Sequence, residues 1–496
     1  MRTQRRAQAP ARARDLQDSA PVSRRRLLQL LPVLLLALAG LAGAHLLWAR
    51  RFVLDADLGA REETLGLALV ALLGAGSVLQ PLLLRLLPAP WFRLASWPFL
   101  VWMGVFWIGL QLVWATDGLW LLVSALGGSE AFPAAKERAA ILTLLLLALV
   151  SVALLEGLRP PRLRPVVHRL ARWPEGLSGF RIVQISDLHF GPILGRGFAR
   201  ALTRRVNALA PDLIVITGDL VDGPLHRLRD DVEPLCELRA RYGVYFVTGN
   251  HDAYSGDEAW VARVAELGIR PLRNARVRIE SAGTGFWLAG VDDHRGDWAR
   301  GSSEDLPAAL AGWDRHEPVV LLAHDPATFR EASLEGVDLQ LSGHTHGGQI
   351  WPFRWLVRLT VPWVEGLHTR RGSSLYVSRG TGFWGPPMRL LAPSEITVHE
   401  LQPGAAGPLL GVSEPGVHRG VGEPGRQVVG DGGDAAIQHP AGTGSRDGGA
   451  LRAEGADHPP SLLERAVQPH PLGAREHARG RRMDVADLQL EDPSAA

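Results

Sequence analysis

The chain has 496 residues, enough for more than one domain, with 46% hydrophobic and 21% charged residues and a formal net charge of only +2. Lys136 is the sole lysine, so nearly all positive charge is arginine, a bias of composition; no nucleic-acid partner is expected. Cys236 is the sole cysteine, which excludes an intrachain disulfide and a cysteine-based metal site.

A short basic stretch, residues 1–26, precedes four uncharged segments: Leu27–Ala49, Thr64–Leu84, Leu94–Thr116 and Ala139–Leu155. Three are long enough to cross a hydrocarbon core of about 30 Å, and the fourth sits at the short end of the usual range. Trp48, Trp91, Trp97 and Trp114 lie near segment ends, where interfacial anchors belong. Residues 27–157 are therefore expected to form an all-α membrane segment of about four spans. Within the segments only His45 is ionisable, which suits an anchor better than an ion pathway. Arg24, Arg25 and Arg26 precede the first span, and Arg159, Arg162, Arg164, Arg169 and Arg172 follow the fourth, in what reads as a basic linker over 158–179. By the positive-inside rule both flanks are cytoplasmic. The stretch "SRRRLLQ", 23–29, resembles a twin-arginine export signal and would place the following domain on the opposite face.

From Phe180 the pattern changes. The apolar runs "FRIVQIS" (180–186), "DLIVITG" (212–218), "GVYFVTG" (243–249), "PVVLLAH" (318–324) and "VDLQLSG" (337–343) read as buried strands. Helical stretches between them, such as Gly197–Leu209, suggest βαβ units and a largely parallel sheet. In such sheets the loops at the carboxyl ends of strands build the site. Those loops read "SDLHFGP" (Asp187, His189), "GDLVDG" (Asp219, Asp222), "GNHD" (Asn250, His251), "AHDP" (His324) and "GHTHGGQI" (His344, His346). Each fragment alone is an ordinary turn or helix cap. Five of them, each ending an apolar strand, would bring oxygen and imidazole groups to one edge of one sheet. That donor set suits Mn²⁺, Fe or Zn²⁺, and there are too many donors for one ion.

Together these motifs resemble the signature of calcineurin-like metallophosphoesterases over roughly residues 180–401. "GHTHGGQI" with the later "YVSRGTG" resembles the membrane-associated bacterial phosphodiesterases among them. The resemblance implies an α/β domain built as a four-layer α-β-β-α sandwich, with two divalent metal ions (Mn, Fe or Zn). Asp187, His189 and His346 would hold one ion, Asn250, His324 and His344 the other, and Asp219 would bridge them. His251 would act as general acid, oriented by Asp222. Gly347 and Gly348 would let the backbone pass close to the ions. The implied chemistry is phosphoester hydrolysis by a hydroxide formed between the ions.

With the membrane segment, this points to an integral protein of the bacterial cytoplasmic membrane. Its catalytic domain would face the cytoplasm and act as a phosphodiesterase on a lipid-linked or nucleotide-lipid phosphoester. The alternatives are a phosphodiesterase for soluble nucleotides and a non-catalytic membrane scaffold or sensor on the same fold. Arg379 reads either as a phosphate contact or as a packing arginine. "IWPFRWLVRLTVPWV", 350–364, reads either as core packing or as an apolar lip for an acyl chain. Residues 402–496, rich in Gly, Pro and Ala without periodicity, are expected to be a disordered low-complexity tail.

Overall fold

A computed structural model describes residues 24–88, 91–128, 132–281, 283–294 and 303–404; residues 1–23 of the basic start and nearly all of the low-complexity tail lie outside the described residues. The leucine-rich N-terminal segments form helices α1 (Arg24–Ala49), α2 (Ala60–Leu86), α3 (Trp91–Ala125) and α4 (Ala135–Leu158). All four are long and apolar enough to cross a membrane. Their outer faces are apolar, with Leu36 75% and Leu144 69% exposed, a surface that lipid rather than water would cover.

Two details depart from the sequence reading. Trp48 is not at an interface but buried, stacked on Phe52 and edge-on to Trp102. Helix α3 has 35 residues, about 52 Å at 1.5 Å per residue, and so outruns the hydrocarbon core. Its first turns belong to the other half of the molecule: Phe92 is buried under the Arg227 guanidinium, and Arg93 pairs with Asp231. Next to the bundle, Met388 is buried against α3 near Gly104, and the Arg389 amide donates to the Ala153 carbonyl of α4 at 2.9 Å.

The remainder is built from β1 (Arg162–Leu170), β2 (Phe180–Ile185), α5 (Arg196–Ala208), β3 (Leu213–Thr217) and α6 (Leu225–Val232). Then come β4 (Val244–Val247), α7 (Asn250–Ser255), α8 (Asp257–Glu266), β5 (Arg270–Pro271), β6 (Ala275–Ser281) and β7 (Thr284–Gly290). The last elements are α9 (Leu306–Leu310), β8 (Val319–Leu322), α10 (Phe329–Glu335), β9 (Leu339–Ser342), α11 (Arg354–Thr360), β10 (Gly366–Arg370), β11 (Ser373–Val377) and β12 (Glu395–Pro403).

The strands make two six-stranded sheets, ordered β1-β12-β2-β3-β4-β5 and β10-β11-β9-β8-β7-β6. The strict two-residue period of a strand explains why. In β3, Ile214 and Ile216 face α5, α6 and α8, while Leu213 and Val215 face the second sheet. In β8, Val320 and Leu322 complete that inter-sheet core, and Val319 and Leu321 pack on α9 and α10. Helices, two sheets and helices again give the four layers. The expectation of one sheet edge is thereby corrected: the ligand-bearing strands β2, β3 and β4 lie in one sheet, β8 and β9 in the other. Pairing between distant strands has no local sequence signal. Residues 162–170, read as basic linker, are a strand in parallel register with β12, from Arg162 opposite Glu395 to Leu170 opposite Pro403. Arg162 and Arg164 fall on the same face as Val166, His168 and Leu170, which broke the apolar alternation and hid the strand pattern, and charges are common on an edge.

Between the sheets runs a buried polar chain. His168 Nε2 lies 2.8 Å from His399 Nδ1, and His399 Nε2 lies 2.9 Å from Gln184 Oε1. Tyr376, whose hydroxyl donates to Glu395 at 2.7 Å, covers both imidazoles. Burial pushes the His168 pKa down to about 3. As pH falls from about 6.5 toward 3, the unfolded chain takes up a proton that the folded chain refuses. Stability present in full above 6.5 is therefore lost over that window, at roughly 1.4 kcal/mol per pH unit. Melting of the full chain in detergent between pH 7 and 5 should show a slope of at least this size, because burial also pushes His399 down, and His168→Gln should reduce it. An unchanged slope in the variant would remove His168 as the cause.

Candidate metal centre

The five predicted strands end where their buried runs give way to polar turns, and those turns converge. A Cβ added at Gly343 would collide with Ser186 Oγ and Asp187, and one added at Gly249 would collide with Asp219. The turns that carry Asn250 and His344 therefore open on glycine because their backbone presses against a neighbouring ligand. Gly347 and Gly348 have positive φ, as expected, and a Cβ added at them would meet Glu365 and Arg379 at the first and the Arg354 backbone at the second. The ligand candidates are themselves strained: Asp187, His189, Asp219, His344 and His346 all have φ between 45° and 74°. Non-glycine residues are uncommon there, and such outliers gather at functional sites.

The side chains form two clusters. In the first, His189 Nε2 and His346 Nε2 are 3.0 Å apart, with Asp187 Oδ1 3.5 Å from the latter. In the second, His344 Nδ1 lies 3.3 Å from His324 Nε2, which is 3.1 Å from Asp219 Oδ2. The same Asp219 oxygen is 3.8 Å from His189 Nε2, so it stands between the clusters. Each cluster groups ligand atoms within 4.8 Å of one another. Asn250 is buried beside them, and its Oδ1 has no hydrogen-bond partner; neither has Asp187 Oδ2. Buried carbonyl and carboxylate oxygens without partners cost free energy unless something else satisfies them. Facing imidazole nitrogens 3.0 and 3.3 Å apart ask for the same thing. The donor set, nitrogen and oxygen without thiolate, fits borderline or hard divalent ions.

Outer partners fix the imidazoles, as ligating histidines require. His324 Nδ1 donates to the Thr217 carbonyl at 2.8 Å. Asp222 Oδ1 lies 2.9 Å from His189 Nδ1 and 2.8 Å from His251 Nδ1, so one carboxylate holds both rings. The charges follow. Burial works against a charged His189, but the adjoining Asp222 carboxylate outweighs it and holds the imidazole up at about 9. Burial likewise opposes the charged Asp222, yet His189 and His251 hold it well below the usual carboxylate range. Burial pushes Asp187 up.

Every residue expected from the sequence at the site lies in this constellation. Several others went unnoticed. Asp252, fully buried, accepts from the Gly249, Leu220 and Val221 amides and ties the Asn250 loop to the Asp219 loop. Asp325 stands 3.7 Å behind His344 Nε2. Asp252 directly follows the candidate acid His251 in "GNHD", and Asp325 directly follows the candidate ligand His324 in "AHDP", the signal that was available. Arg389, buried without exposed surface, donates to the Gly382, Arg379 and Ala392 carbonyls and approaches His346 Nδ1 at 3.3 Å; nothing local in the sequence announced it. Arg379 is engaged by Glu365 at 2.6 Å.

Comparison with known proteins agrees with this geometry. Residues 180–348 match the calcineurin-like phosphoesterase family. The chain is 37% identical over 287 residues to a transmembrane protein with metallophosphoesterase domain from Danio rerio, covering 56% of this chain and 66% of that protein, just under two thirds of its length. It is 35% identical to an uncharacterized metallophosphoesterase of Aquifex aeolicus, covering 45% of this chain and 85% of that one. With one of Bacillus subtilis it shares 33% identity over 46% of this chain and 81% of the relative. Relatives this similar, matched over more than four fifths of their own length, leave one conclusion for the strands and loops described above: the chain belongs to the calcineurin-like metallophosphoesterases.

Proposed function

We propose that this chain is a membrane-anchored phosphoester hydrolase that holds two divalent ions and cleaves a lipid-linked phosphoester at the cytoplasmic face of a bacterial membrane. Asp187, His189 and His346 would hold one ion, Asn250, His324 and His344 the other, with Asp219 shared. When bound, the pair supplies charge neutralisation for the phosphate and an acidified water near neutral pH. The arginines flanking the helix bundle, 24–26 and 159–172, support the cytoplasmic face.

One observation carries the lipid part. A cavity of about 700 Å³ is lined at one end by Asp219, Asn250, His344 and His346 and at the other by Leu41 of α1 and Phe106 and Trp107 of α3. A phosphate at the polar end would have its apolar chain among helices that meet the bilayer. A soluble nucleotide gains nothing from such walls. His251 would protonate the leaving oxygen: its Nδ1 is held by Asp222 at 2.8 Å, which leaves Nε2 for the substrate. Its amide, donating to Asp219 Oδ1 at 2.8 Å, fixes it relative to the shared ligand.

The cavity has an exposed apolar lip. Helix α11 buries no side chain, and Trp351, Trp355 and Leu359 are 47%, 55% and 81% exposed. Phe353 stands edge-on to Trp107 of α3 at 5.4 Å, and Arg358 lies over Trp355 at 4.9 Å. Aromatic and arginine side chains together favour the bilayer interface. Replacing Trp351, Phe353 and Trp355 by serine in the full chain should lower kcat/KM on a bilayer lipid while p-nitrophenyl phosphate turnover stays unchanged. Equal loss on both substrates would remove the lip, and with it the main support for a lipid substrate.

A further inference from the structure

One strap of chain, residues 380–390 after β11, touches the candidate ligands on one side and the helix bundle on the other. Beside the ligands it runs close to Asp187. The Thr381 amide donates to the Ser186 carbonyl at 2.7 Å, and the Gly382 amide to the Asp187 carbonyl at 3.0 Å. A Cβ added at Gly380 would come within 3.1 Å of both Asp187 and His346, and one added at Gly382 would strike the Leu188 carbonyl oxygen at 2.5 Å. Buried Arg389 holds the strap folded by donating to the Gly382 and Arg379 carbonyls, and it reaches the His346 carbonyl at 3.4 Å. Gln349, three residues beyond His346, ties the same loop to the strap. Its Oε1 accepts from the Trp384 amide at 2.9 Å, and its Nε2 donates to the Trp384 carbonyl at 2.8 Å and the Pro386 carbonyl at 3.2 Å.

On the bundle side the fit is equally close. The Arg389 amide donates to the Ala153 carbonyl of α4 at 2.9 Å. One turn further along α4, a Cβ added at Gly157 would meet the Pro387 carbonyl oxygen at 2.5 Å and Met388 Cα at 2.8 Å. These are backbone atoms, so a side chain at Gly157 would have to push the strap itself. Both ligands that the strap touches, Asp187 and His346, belong to the first cluster. Resting on the two-ion reading above, we infer that the seat of the strap on α4 positions Asp187 and His346, with Arg389 and Gln349 as the positioning residues, so that packing in the helix bundle sets the affinity of the first ion. Groups that orient ligands in this way are worth about 10–100-fold in metal affinity. A one-carbon change on α4, which carries no candidate ligand, should then weaken one ion and spare the other.

The test uses the full chain in lipid nanodiscs, stripped of metal and titrated with Mn²⁺, with free Mn²⁺ followed by electron spin resonance. The parent chain should bind two ions. Gly157→Ala should weaken one of them by about 10–100-fold and leave the other unchanged. Gly118→Ala, the same change on α3 where a Cβ meets nothing within 4 Å, should match the parent. Alanine favours a helix over glycine, so α4 itself is not harmed, and the metal-free variant should melt as the parent does. In a His346→Ala background, which should retain the second ion, adding Gly157→Ala should cost nothing further. Parent-like binding of both ions in Gly157→Ala, equal weakening of both, or further weakening in the His346→Ala background would overturn this inference while leaving the two-ion reading standing. Should Gly157→Ala not fold, Gln349→Ala cuts the link from the other end: it should weaken one ion alone, and parent-like affinity for both would overturn the inference. A parent chain that binds fewer than two Mn²⁺ ions would overturn the two-ion reading and this inference together.

Discussion

Asp219→Ala is expected to leave the chain without bound metal and to reduce turnover on any phosphoester to background. Asp219 Oδ2 lies 3.1 Å from His324 Nε2 and 3.8 Å from His189 Nε2, so each cluster loses a ligand at once. Its Oδ1 accepts from the His251 amide at 2.8 Å, so the loop carrying Asn250 and His251 also loses its tether. Two facing groups of buried imidazoles then remain with no carboxylate between them, and a second cation is hard to hold beside the first without that shared charge. Metal analysis of the purified full chain, before and after loading with Mn²⁺, reads this directly. Two ions per chain in the variant would contradict the shared-ligand role.

His251→Ala should behave in the opposite way, keeping both metals and losing chemistry. No ligand atom is removed, and Asp222 still holds His189 through Nδ1 at 2.9 Å. What would disappear is the proposed proton donor, worth about 10²–10⁴-fold where the leaving oxygen is basic. Turnover of alkyl phosphoesters should therefore fall by at least about 10²-fold, while p-nitrophenyl esters, whose leaving group needs little help, should fall far less. Loss independent of leaving-group pKa would point to positioning; no loss on alkyl esters would remove His251 as the acid.

Much of the site was legible because its strands and turns are local. A fully buried run such as "DLIVITG" followed by Asp219 states both the strand and the residue it presents, and "GNHD" and "GHTH" do the same. The helix bundle was legible from length and the absence of charge. What could not be read was long-range. The split of β2–β4 and β8–β9 between two sheets depends on pairings between segments far apart in the chain. Strand β1 was hidden by arginines that suited a membrane flank equally well. Helix α3 carried a clue in Arg93, a charge at the start of an apolar run, but only its pairing with Asp231 shows that those turns pack on the α/β part. Trp384 and Arg389 have no motif at all; their places beside His251 and His346 come from the chain's return after β11.

The long apolar helices α1, α2 and α3 and the candidate metal centre line one cavity, from Leu41 and Trp107 to Asn250 and His344, and on the proposed reading anchor and chemistry form one device. The most direct measurement is on the full chain in nanodiscs, stripped of metal and reloaded with Mn²⁺. Hydrolysis of bis-p-nitrophenyl phosphate and of a bilayer phosphodiester is followed beside His344→Ala. The expected result is turnover of both substrates that appears only on reloading and vanishes in the variant. Two ions bound with no turnover of either would contradict it and leave a protein that uses this fold only to bind.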